Sequence, residues 1–135
     1  KLLEVINCFK ETTDVVKIEH HHQILKHVNN FDNINLQNID HHHDIFYPGW
    51  HKLNCLDEGN WVYHLSQIKN LNNYTWFRNK DSEDFCNSID LNFTFNQTLE
   101  LEVNQIKKPD IIVVCSSPHW TGDTKGLLFK KLLGE

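Results

Sequence analysis

The chain has 135 residues, 39% hydrophobic and 11% aromatic, with a formal net charge of −5. That length fits one domain over residues 1–135, and no apolar run approaches the roughly 20 residues a bilayer crossing needs. The negative balance and the lone arginine, Arg78, argue against a Lys/Arg surface that tracks nucleic-acid phosphates and favour a neutral or cationic partner.

In chain order, the opening segment from Lys1 to Phe9 holds Glu4 and Asn7 within its apolar stretch and lacks a small-residue cleavage pattern. It reads as a first strand rather than a signal peptide. Val15–Glu19 is a short, mostly β-branched run that predicts a strand. It gives way to His20, His21 and His22, and then to helical spacing over Gln23–Val28. Ile34–Ile39 alternates like a strand and runs into Asp40-His41-His42-His43-Asp44, after which Pro48-Gly49 marks a turn. Strand, helix and strand form a βαβ unit, whose crossover would bring both histidine clusters to one sheet edge.

Gly59-Asn60 precedes a second predicted helix, Trp61–Ile68, with Trp61, Leu65 and Ile68 on one face. Tyr74–Phe77 predicts a strand, Asn79–Asp84 a loop, and Ile89–Phe93 a strand end that carries an acid. The continuous apolar run Ile111–Cys115 predicts a strand buried on both faces, ending at Ser116-Ser117-Pro118-His119-Trp120. A short terminal helix is expected over Leu127–Leu133. The four cysteines, Cys8, Cys55, Cys86 and Cys115, form no CxxC pair, which suits a reducing, cytoplasmic setting.

Every position from Asp40 to Asp44 can ligate or orient a divalent metal. Asp40, His42 and Asp44 share a face of an extended chain, but on a straight strand the outer two would stand about 13 Å apart. Metal–ligand bonds are only about 2.0–2.2 Å, so the chain is expected to curl after Asp40, with His41 and His43 pointing away as supporting or surface residues. Mixed imidazole and carboxylate donors suit Mn²⁺, Fe²⁺, Co²⁺ or Zn²⁺, and the absence of a thiolate in the cluster favours an open, catalytic site. The competing reading is a solvent loop decorated with histidines and acids.

Asp40-x-His42-x-Asp44 after a buried strand resembles the Asp-x-His-x-Asp motif of the arginase/ureohydrolase superfamily. Glu19-His20-His21-His22-Gln23 resembles the strand end that supplies its first histidine ligand, with His21 the best match, and Ile89-Asp90-Leu91-Asn92-Phe93 resembles an Ile-Asp-Leu-Asp-Phe segment. The nearer likeness is to small arginase-like domains, which include peptide arginases. It implies a reduced three-layer α/β/α fold with a mostly parallel sheet. It also implies one metal held by His21, Asp40, Asp44 and Asp90, and a second held by Asp40, His42, Asp90 and Asn92. The cofactor would be one or two divalent ions, manganese first, with zinc or iron as alternatives. Asn92 departs from the pattern, because an amide is a weaker ligand than aspartate for a hard dication.

The function implied is metal-dependent hydrolysis of a carbon–nitrogen bond in a guanidino or amide group, including arginine within a peptide. The substrate is then a small molecule or peptide with a cationic group, and no nucleic acid or membrane partner is expected. The alternative is a non-catalytic metal-binding or structural module that keeps a degenerate site. Asp44 and His119 are the catalytic candidates; His119 suits a proton shuttle, a substrate contact at the same sheet edge, or a half-buried histidine packed beside Trp120. Asp57 and Glu58 suit a helix cap better than a cation-binding pocket.

Overall fold

Strand partners follow side-chain likeness, as a computed structural model of the protein shows for residues 2–49, 54–86, 89–99 and 101–116. The strands are β1 (Asp14–Ile18), β2 (Asn33–Ile39), β3 (Asn70–Phe77), β4 (Thr94–Thr98) and β5 (Ile111–Cys115). All pair in parallel, in two sheets ordered β1-β5 and β2-β3-β4. Apolar β1 takes apolar β5, matching Val15 with Ile112 and Val16 with Val113. Amide-rich β2 takes amide-rich β3, where Asn70 Nδ2 donates to Asn33 Oδ1 (2.5 Å) and Asn73 Nδ2 to Asn35 Oδ1 (2.9 Å). Such cross-strand pairs are the unit of sheet stabilisation. The expected pairing of β1 and β2 within one βαβ unit is therefore not found, and the crossover in the three-stranded sheet is β2–α2–β3, with helix α2 at Trp61–Ile68.

The described residues form two compact units, one from residues 2–24 and 102–116, the other from those between 25 and 99 together with residue 101. In the first, Leu2–Phe9 is helix α1 and not the expected strand. Leu2, Val5, Ile6 and Phe9 recur at helical spacing, and Val5 and Ile6 are the buried pair. Strand β5 is half-buried along most of its length, with Val114 alone fully buried, so the expectation of burial on both faces is not met. After β1 the chain turns into a 3₁₀ segment, His21–His27, where an α-helix over Gln23–Val28 was expected.

In the second unit, Trp61, Val62 and Leu65 from α2 are buried, as are Leu71, Tyr74, Trp76 and Phe77 from β3. Helix α2 has the predicted bounds. Residues Ile89–Phe93 hold no strand; β4 starts one residue later, at Thr94. The strands run the same way, so Ile39, Phe77 and Thr98 end at one edge of this sheet, where parallel α/β sheets place their ligands. Among the described residues, no helix is long and apolar enough to cross a membrane. Trp50, His119 and the expected helix over Leu127–Leu133 lie outside the described residues.

Candidate metal centre

The Asp40–Asp44 segment leaves the carboxyl end of β2 and bends at once. Asp44 completes the bend with φ of 57°, the protein's non-glycine residue with positive φ among those described. An L-residue pays about 1–2 kcal/mol for that conformation, aspartate less than most because its short side chain bonds locally. The curl brings carboxylate oxygens of Asp40 and Asp44 within 4.8 Å of each other, against the 13 Å or so of a straight strand. At that separation each carboxylate opposes ionisation of the other, a repulsion that a shared proton or a bound cation would relieve.

Four aromatic side chains hold this curl through their polar atoms. Trp76 Nε1 donates to the Asp40 carbonyl (2.9 Å). The Tyr74 hydroxyl donates to the His43 carbonyl (2.6 Å) and accepts from Asn38 Nδ2 (3.0 Å). The Tyr47 hydroxyl accepts the His43 N–H (3.2 Å). Trp61 Nε1 donates to Asp44 Oδ2 (2.8 Å), and Val62 N–H to the Asp44 carbonyl (3.0 Å). That last bond satisfies an otherwise orphaned donor in the first turn of α2. Asn60 occupies the N-cap position but does not cap with its side chain; its amide ties the preceding loop through Asp57 N–H (2.7 Å) and the Cys55 carbonyl (2.8 Å). The cap expected of Asp57 and Glu58 thus falls to the backbone of Asp44.

Asp44 is 3% exposed. Burial first, then repulsion from Asp40, then their hydrogen bond and the Glu58 charge, raise its carboxyl well above the ordinary 3.8, with the Trp61 N–H opposing. Tyr47 and Tyr74 are raised too, by burial and by the Asp44 charge. Of the two expected places for His43, surface or supporting, the surface one is excluded: it is 0% exposed. It stacks on Tyr47 (4.2 Å) and meets Trp76 and Phe85 edge-on. Alternation fails because the chain is bent, not extended, from Asp40 onward. Burial, then His42 and Arg78, lower His43 from 6.5 to about 4. Its Nδ1 accepts the Ile45 N–H (3.1 Å), so the neutral ring carries its proton on Nε2.

His42 lies next to the carboxyl pair: its backbone N–H donates to Asp40 Oδ1 (3.4 Å), and its ring sits edge-on to His41 and Tyr47. His41 is exposed, as expected, and its Nδ1 meets Asn79 and Ser82. His21 is half-buried at the first position of the 3₁₀ segment. Asp90 and Asn92 are exposed, and the Asn92 amide donates to the Ser66 carbonyl (3.1 Å). The structure thus brings Asp40 and Asp44 together and leaves Asp90 and Asn92 at the surface. The aromatic anchors were missed, although Tyr74 and Trp76 stand two apart on one strand face, the spacing at which two polar handles reach one loop.

Tyr74→Phe is expected to cost about 1–3 kcal/mol, because the buried His43 carbonyl loses its donor; the urea midpoint of unfolding reads the loss.

No family model, curated protein or solved structure matches the chain.

Proposed function

We propose that Asp40 and Asp44 are the core of a divalent-metal centre, and that the protein is a metal-dependent hydrolase of a carbon–nitrogen bond in a guanidino or amide group of a cationic small molecule or peptide. The observation that carries this reading is the carboxyl pair itself: two acids held close, one nearly out of solvent, in a strained turn at the carboxyl edge of a parallel sheet. Two like charges so placed call for a proton or a cation between them. Hard anionic oxygens fit manganese best, with zinc or iron less well served.

The chain's own residues supply the remaining elements. Asp40 and Asp44 would hold the ion. Tyr47, Trp61, Trp76 and His43 surround the pair with apolar surface that strengthens electrostatics there. Glu58 adds negative charge felt by Asp44, which suits a cationic substrate. A bound divalent ion lowers the pKa of its water enough to supply hydroxide near neutral pH. The reading extends to one arginase-like, three-layer α/β/α domain, supported by the parallel pairing of every strand among the described residues. It also extends to a cytoplasmic setting, supported by four free cysteines.

A second reading, a metal-binding module without turnover, is favoured by the exposed Asp90 and by the Asn92 amide engaged with Ser66. Elemental analysis of protein purified without a histidine-affinity column separates the outcomes. One or two Mn, Fe or Zn per chain, with ornithine or urea released from arginine or arginine peptides, is the expected result. Metal without turnover selects the module, and no metal in either the native or the manganese-dialysed protein ends the metal reading. Asp40→Ala is expected to cost more than about a hundredfold in manganese affinity, beyond what outer-shell losses cost.

A further inference from the structure

Asp44 is fastened twice to the start of α2, through its carbonyl to Val62 N–H (3.0 Å) and through Oδ2 to the Trp61 indole N–H (2.8 Å). Trp61 is 1% exposed, so the indole cannot swing aside without opening the core. The carbonyl bond and the φ of 57° hold the main chain beneath it. Trp76 spends its indole N–H on a backbone carbonyl, whereas Trp61 spends the equivalent donor on a carboxylate that the metal reading makes a ligand.

We propose that Trp61 is a positioning residue that fixes how many oxygens Asp44 offers a cation, and so sets the cation selectivity of the Asp40–Asp44 pair. The inference rests on the metal reading above. Bidentate chelation needs both carboxylate oxygens turned to one ion, and an N–H that aims Oδ2 at α2 opposes that turn. Asp44 is thereby restricted to single-oxygen ligation. Small dications with near-octahedral shells at about 2.0–2.1 Å accept such ligation, while Ca²⁺, at about 2.3–2.6 Å with six to eight oxygens, gains from bidentate carboxylates. The wild-type pair should therefore prefer Mn²⁺ to Ca²⁺ more strongly than the same carboxylates released from Trp61.

The test is calorimetric titration of Mn²⁺ and of Ca²⁺ into wild type, Trp61→Phe, and a protein carrying β-(3-benzothienyl)alanine at position 61, a near-isostere of the indole without its N–H. Loss of the N–H is expected to weaken Mn²⁺ binding about 10–100-fold while Ca²⁺ binding holds or tightens, so that the preference for Mn²⁺ falls at least about tenfold in both variants. If Trp61→Phe fails to fold, the isostere decides. Equal losses for both cations mark Trp61 as merely structural and overturn the inference, as does an unchanged preference in the isostere. A wild type that binds neither cation overturns the metal reading beneath it, a result visible without either variant.

Discussion

Asp44→Asn is expected to stabilise the metal-free protein by about 1–3 kcal/mol, the order of the desolvation penalty of an uncompensated buried polar group, and to remove its stabilisation by manganese. Asparagine keeps an acceptor for the Trp61 N–H and tolerates positive φ at least as well as aspartate. It discards the charge that burial and Asp40 oppose. A carboxyl whose folded pKa is raised contributes stability that is fully present below its ordinary 3.8 and lost as pH rises through the raised value. In chelator the Asp44 contribution to wild-type stability should therefore fall as pH rises above 3.8, and Asp44→Asn should lack that part of the slope. A dication needs the ionised carboxylate, so manganese should stabilise wild type more as pH rises. Urea midpoints with chelator and with manganese, at several pH values, check both signs. A variant less stable than wild type in chelator, or one that still gains from manganese, would refute the argument.

The second large effect belongs to His43. A histidine whose folded pKa is lowered contributes stability that is present above the ordinary 6.5 and lost as pH falls through about 4. The shift corresponds to about 3 kcal/mol, taken at 1.36 kcal/mol per unit. Chelated wild type should lose stability of that order on acidification across this window, against the opposing trend from Asp44. His43→Asn places an amide oxygen where Nδ1 accepts the Ile45 N–H, and should abolish the acid-side loss while costing stability at pH 7 through the lost ring packing. A slope that survives in His43→Asn would assign the loss to another group.

Sequence made the local elements legible where periodicity was strong and unbroken. Helix α2 and strand β2 emerged at or within a residue of their bounds because Trp61/Leu65 spacing and Ile34/Leu36 alternation each admit one period. Helix α1 was misread because β-branched Val5 and Ile6 weigh toward strand, although Leu2, Val5, Ile6 and Phe9 trace a helical face. Strand pairing was not legible at all, since the choice of β5 for β1 and β3 for β2 rests on contacts far apart in the chain. At the candidate site, metal-bond lengths alone required the curl after Asp40. They gave no sign that Trp61, Tyr74 and Trp76 would anchor it, because each reads as ordinary core until its N–H or O–H is traced.

The amide pairs Asn33–Asn70 and Asn35–Asn73 acquire a further meaning here. A shift of one residue between β2 and β3 would turn every β3 side chain to the opposite face. Tyr74 and Trp76 would then release the Asp40–Asp44 loop together. A chain that zipped its strands together one step out would thus lose the anchors of its acidic loop as well as stability, and the modest surface asparagines act as proofreaders of a loop at the far end of their strands.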